Sequence, residues 1–239
     1  MTPEIIYSDK DLIVINKPPG ISVHGGPTVR GKTLADFLLE DFPEIKGVGD
    51  PSTGPRQVNL RPGIVHRLDK DTSGVMVVAR NQKSFEALKD IFKNRQVEKT
   101  YRAIVCGRPK NKSGVISLSI GRIAKNPLKR GVVSGRGRIR GEREAVTEYH
   151  VIKGGDLFSL LELKPKTGRM HQIRVHLKAI GHPVACDKIY GGKNVCCPGG
   201  AARQLLHAES ISFSYPEGRK MHFEVESPID FKLAEGQIL

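Results

Sequence analysis

The sequence predicts an α+β fold, a mixed and mainly antiparallel sheet with flanking helices, on three observations. The opening third alternates strand, helix, strand, helix; the stretch from Thr100 to Leu163 is dominated by period-two or β-branched segments; and no internal repeat or long linker divides the chain. At 239 residues one large domain or two small ones are possible, and a single domain over 1–239 is the expectation.

Each element has its own signal. Leu12-Ile13-Val14-Ile15 is a β-branched run stopped at Asn16-Lys17-Pro18-Pro19-Gly20, where proline removes ladder donors. Thr33 reads as a helix N-cap before Leu34, Phe37 and Leu38, and Phe42-Pro43 closes that helix. Residues 46–61, rich in Gly, Pro, Ser and Thr, read as a loop. Val75 to Ala79 is a buried-strand pattern, and between Ser84 and Asn94 the residues Phe85, Leu88, Ile91 and Phe92 form a helical stripe opposite Lys83, Lys89 and Lys93. Strands are expected at 100–106, 115–120, 145–152 and 158–163, a helix at 170–180 ended by Gly181 and Pro183, and strands at 210–215 and 222–226.

Charge narrows the function classes. A formal net charge of +14 attracts phosphate backbones and anionic membrane surfaces alike. No run approaches the roughly 18 apolar residues of a spanning helix, and the start Met1-Thr2-Pro3-Glu4 lacks signal-peptide character. The expectation is a cytoplasmic protein with no membrane partner. Cys106, Cys186, Cys196 and Cys197 show neither CxxC pairing nor the density of a secreted scaffold, so they read as reduced thiols without metal. Between Arg122 and Arg143 there are eight Lys or Arg residues and one acid, Glu142, interspersed with glycines, which reads as a mobile basic loop.

Two constellations could carry chemistry. In His66-Arg67-Leu68-Asp69-Lys70-Asp71-Thr72-Ser73-Gly74 a charged turn feeds a buried strand, and Asp69 could be a nucleophile, a general base, a helix cap or a plain surface carboxylate. In Thr167-Gly168-Arg169-Met170-His171-Gln172-Ile173-Arg174-Val175-His176 the arginines Arg169 and Arg174 could bind phosphate or pair with a carboxylate. His171 and His176 lie five apart and diverge on a helix, unlike a zinc-binding i, i+4 pair, so no metal is expected.

HRLDKDTSG at His66 to Gly74, NKPPG at Asn16 to Gly20, EKTY at Glu98 to Tyr101 and TGRMHQIRVH at Thr167 to His176, in this order, resemble the RluA family of pseudouridine synthases. The resemblance runs from about Ile5 to Phe223. It implies the pseudouridine synthase fold with a central RNA-binding cleft, and an RNA substrate, ribosomal ahead of transfer RNA. It implies Asp69 as the essential aspartate acting at the ribose without a cofactor, and Tyr101 as the ring packed on uracil. Arg174 is implied as the arginine paired with the aspartate, and Arg67 as the residue that fills the RNA stack when the base is flipped. His66, Arg169, Ile173 and Val175 flank these positions and are counted with the RNA-binding set, Ile173 and Val175 as apolar lining. With an RNA substrate the basic segment, Arg136, Arg138 and Arg140 in particular, is expected to contact phosphate. Because the pattern begins almost at Met1, a member without an N-terminal S4-type domain is expected; the oligomeric state is not readable from the sequence, with a monomer favoured.

Two other readings compete. Gly26-Pro27-Thr28-Val29-Arg30-Gly31-Lys32-Thr33 satisfies the P-loop expression, but Pro27 removes a loop N–H and no apolar run ends in a magnesium-binding Asp, so the match reads as chance and no nucleotide cofactor is expected. A non-catalytic RNA-binding module would account for the charge but has no use for Asp69, Tyr101 and Arg174 together.

Overall fold

Strands that are apolar along their whole length belong inside a sheet covered on both faces. Leu12–Lys17 (β2) and Ser73–Ala79 (β3) are such strands and are buried almost throughout. They pair antiparallel from Leu12↔Ala79 to Lys17↔Gly74, and Glu4–Ser8 (β1) pairs antiparallel with β2. The computed structural model describes residues 2–26, 29–54, 58, 61–124, 126–132, 139–193 and 195–239. They form two compact units, the first comprising the chain up to Glu98 with Ala208–Glu226, the second Lys99–His207 with Ser227–Leu239.

In the first unit the strand order is β1, β2, β3 and, from Ala208 on, Leu206–Tyr215 (β11), and Arg219–Glu224 (β12) pairs antiparallel with β11. Leu34–Asp41 (α1) starts where the Asp36 carboxylate accepts the N–H and hydroxyl of Thr33. Gln82–Lys93 (α2) starts one residue after Asn81, whose side chain accepts the Ser84 N–H at 2.9 Å. The stripe Phe85, Leu88 and Ile91 then packs against Leu12, Val14, Val75, Val77, Ile211 and Phe213, each such side chain contributing about 1.5–3 kcal/mol by leaving water.

In the second unit Val97–Cys106 (β4), Ser113–Ser117 (β5), Val146–Gly154 (β9) and Phe158–Pro165 (β10) form an antiparallel sheet in the order β4, β10, β9, β5. Gln172–Ala179 (α3) buries Ile173 and Leu177 against Ala103, Val105, Leu161 and Leu163. Ile229–Glu235 (α4) buries Phe231 against Ile104, Leu160 and Leu205. The expected α+β architecture with mainly antiparallel strands is therefore the one observed. No helix of the described residues is long and apolar enough to cross a membrane.

Two expectations are corrected. The basic segment is not a loop: Ile120–Ile123 (β6) is flanked by Asn126–Val132 (β7) and Ile139–Arg143 (β8) in a three-stranded antiparallel ribbon, with 125 and 133–138, hence Arg136 and Arg138, outside the described residues. Its glycines misled because Gly121 and Gly131 face each other across the ribbon, and a Cβ on Gly121 would come within 2.3 Å of the Ile139 side chain. The cysteines are not thiols: Cys106 is bonded to Cys196 and Cys186 to Cys197. Local spacing could not show this, since the first pair is 90 residues apart in sequence and meets only because the fold brings the end of β4 beside residue 196.

Candidate active site

In the first unit the HRLDKDTSG string forms a turn fastened along its length. The Asp69 main-chain carbonyl accepts the Thr72 N–H at 3.1 Å, and the Lys70 carbonyl accepts the Gly20 N–H at 2.9 Å. Lys17, fully buried, donates its ammonium to the carbonyls of Pro18, Ile21 and Lys70 at 2.8, 3.0 and 2.9 Å. A desolvated cation is tolerated only with such a set of acceptors, so the NKPPG turn and the Asp69 turn are held as one piece. Gly74 is obligatory there, with φ +122° and no room for a Cβ, which would lie 2.1 Å from the Ala208 carbonyl oxygen.

The side chains of this turn divide by direction. Leu68, Thr72 and Ser73 are buried, Asp69 is half-buried, and Arg67 is exposed. The Arg67 guanidinium lies 3.1 Å from Nε2 of His24, whose Nδ1 is 2.7 Å from the Gly25 carbonyl. Burial lowers the His24 pKa, the Gly25 carbonyl opposes that shift, and the charges of Arg61 and Arg67 add to it, which keeps the imidazole neutral and able to accept from Arg67. His66 faces inward: Nε2 accepts the Val77 N–H at 2.9 Å and the ring stacks on Phe92 with centroids 4.6 Å apart. Its described contacts anchor the turn to β3 and α2.

The second unit carries Tyr101, Arg169, Ile173, Arg174 and Val175. Tyr101 lies on β4 opposite Leu163 and is half-buried, its ring against the cluster of Ala103, Leu163 and Ile173. The start of α3 is built around Gln172, which accepts the Thr167 hydroxyl and the Arg169 N–H and donates to the Val146 carbonyl and Thr147 hydroxyl. Arg169 donates through Nε to the Glu144 carbonyl at 3.0 Å. Ile173 and Val175 are core residues, Val175 packing with Ile120, Ala145 and Tyr190. His176 is fully buried between the Thr147 hydroxyl and the Leu118 carbonyl, and burial lowers its pKa against the opposing pull of that carbonyl.

Arg174 has a partner that the sequence reading missed. Its Nε and Nη2 donate to Oδ2 and Oδ1 of Asp187 at 2.7 and 2.9 Å in a bidentate fork, both side chains being nearly or fully buried. Burial pushes the Asp187 carboxyl up, but the guanidinium and the N–H groups of Tyr190 and Ile189 outweigh it and hold the pKa below the carboxylate range. The Tyr190 ring lies over the guanidinium at 5.1 Å. Nothing in the string Asp187-Lys188-Ile189-Tyr190 signals this role without a known partner. Among the described residues no group of His, Cys, Asp and Glu could hold a metal ion.

Comparison with known proteins fits these features. A family profile described as RNA pseudouridylate synthase matches residues 11–179. An RNA pseudouridine synthase of Synechocystis is 40% identical over 216 residues, covering 89% of this chain and 62% of the relative. The ribosomal large subunit pseudouridine synthase D of Zymomonas mobilis is 36% identical over 238 residues, covering 96% and 71%. The chain thus spans about two thirds of the length of these relatives, slightly less for the first. Among solved structures, human RNA pseudouridylate synthase domain containing 4 superposes with TM-score 0.74 at 28% identity, covering 98% of this chain and 92% of that one. Fold and matched segment together define the class, the enzymes that isomerise uridine in RNA. Within it, the chain belongs to the RNA pseudouridylate synthase family, the family that contains the RluA-type enzymes.

Proposed function

We propose that this chain converts uridine to pseudouridine in structured RNA, ribosomal RNA ahead of transfer RNA, in the cytoplasm. The observation that carries the reading is the HRLDKDTSG turn, which holds a half-buried carboxylate on a backbone fixed from both sides, next to an exposed arginine. Ribosomal RNA is favoured because relatives in Zymomonas mobilis and Borreliella burgdorferi, 36% and 41% identical, are named ribosomal large subunit pseudouridine synthase D.

The reaction breaks N1–C1′, turns the uracil and joins C5 to C1′; the C5 proton leaves to solvent and N1 takes up a proton, so the product is an isomer of the substrate. No electrons enter or leave. Asp69 supplies the carboxylate, either by attacking C1′ or by removing a ribose proton. Extrusion of the target base costs a few kcal/mol, offset by stacking on Tyr101 and by Arg67 filling the vacated space, and the family resemblance makes Arg174 a further member of the machinery. Pseudouridine mapping of RNA from cells with and without the gene is the direct test. The expected difference is a small number of sites confined to large-subunit ribosomal RNA, and an identical map would reject the activity.

The ribbon supports the phosphate-binding part of the reading. Arg122 stands directly opposite Arg130 on β7 and opposite Arg140 on β8, so three arginines stand in register across three strands. Like charges directly opposite destabilise a sheet unless a polyanion neutralises them. Replacing Arg122, Arg130 and Arg140 by Gln is expected to weaken RNA binding and to flatten the slope of log affinity against log salt by about two to three. An unchanged slope would remove the ribbon from the RNA interface.

A further inference from the structure

We propose that Asp187 is a positioning residue for the reaction, acting through Arg174, with Tyr190 completing the bracket that holds the guanidinium. The inference rests on the reading of Arg174 as part of the catalytic machinery. An arginine side chain has long, soft torsions, and its donors wander unless something fixes the plane of the fork. Here the plane is fixed from two directions. Asp187 takes Nε and Nη2 together, and the Tyr190 ring lies against the guanidinium at 5.1 Å.

The bracket is itself anchored. Oδ1 of Asp187 also accepts the N–H groups of Ile189 and Tyr190 at 2.9 and 3.0 Å, so the carboxylate cannot rotate without breaking its own loop. The Tyr190 hydroxyl accepts the Arg130 N–H at 3.0 Å and lies 2.8 Å from His171 Nδ1. Cys186, directly before Asp187, is bonded to Cys197, and Cys196 is bonded to Cys106 at the end of β4.

The two residues that open this assembly, His171 before α3 and Cys186 before Asp187, both have left-handed backbone, φ 57° and 59°. Non-glycine residues adopt that conformation only where the surroundings enforce it, and such positions gather at sites where geometry is preorganised. A buried ion pair of this kind is a poor way to gain stability, since apolar replacements do as well. Its shape is instead suited to aiming the remaining face of Arg174.

The test is a kinetic cycle on the full chain with C5-tritiated RNA, using Asp187→Asn, Arg174→Gln, the double variant and Asp69→Asn. Asp187→Asn keeps the shape and removes the charge, and is expected to lower kcat about 10²-fold, the scale of a misplaced group, with KM for RNA within about twofold of wild type. In the Arg174→Gln background the same change is expected to cost nothing further, because its effect has no other route. Should Asp187→Asn not fold, Tyr190→Leu keeps apolar packing against Val175 and removes the aromatic face, and a kcat loss of about tenfold with unchanged KM is expected. The proposal is overturned by wild-type kcat in the variant that folds, by a loss confined to KM, or by equal losses in both backgrounds. Wild-type turnover in Asp69→Asn would instead sink the catalytic reading beneath it, and the two failures are thereby separable.

Discussion

Asp69→Ala is expected to release no tritium from C5-labelled uridine in RNA, a loss of at least about 10⁴-fold, the scale on which an essential base or nucleophile acts. The main-chain bonds that hold the turn do not involve the atoms removed: Thr72 bonds to the main-chain oxygen of residue 69, and Lys17 and Gly20 bond to that of residue 70. The melting temperature of the variant, measured alongside, separates loss of chemistry from loss of fold. RNA affinity should stay within a few-fold of wild type, since phosphate contacts supply most of the binding. Measured turnover above background would show that Asp69 is a surface carboxylate and would return the non-catalytic binding module to first place.

The second large effect concerns the disulfides. Cys106–Cys196 closes a loop with a sequence separation of 90, and Cys186–Cys197 one of 11. Loop-closure entropy assigns them about 4–5 and about 3 kcal/mol, less when both are present because the smaller lies against the larger. Reduction, or the paired replacement Cys106→Ser with Cys196→Ser, is expected to lower the melting temperature by about 10–20 °C. The Cys186/Cys197 pair should have the smaller effect. Thiol titration of unfolded, unreduced protein should find no free thiol; four free thiols with an unchanged melting temperature would contradict the bridges. Disulfides are rare in reducing cytoplasm except in hyperthermophiles, so the redox state of the purified protein also bears on where it works.

Much of the fold was legible because it rests on local signals. The apolar run at Leu12 to Ile15 is β2, the stripe of Phe85, Leu88 and Ile91 is α2, and the segment before Gly181 is α3. What escaped lacks a local signal. Glu4–Ser8 forms a strand mainly because β2 offers it an edge, its own residues being exposed or half-buried. The basic ribbon has charges where a half-buried strand would show alternation, and α4 buries little besides Phe231 and Ala234.

The site was legible in the same uneven way. Asp69, Arg67, Tyr101 and Arg174 stand in strings that resemble a family, whereas Lys17 looked like part of a turn and Asp187 like any loop acid. Their importance is a matter of burial, and burial is settled by contacts far along the chain: Lys70 for Lys17, 53 residues away, and Arg174 for Asp187, 13 away.

Lys17 has three ammonium hydrogens and three carbonyl oxygens to receive them. Being fully buried, it counts toward the positive surplus of the chain while lying out of reach of an anion at the surface. An acylating reagent surveying the native surface passes it by, and its labelling reports the moment at which the segment around residue 69 comes apart.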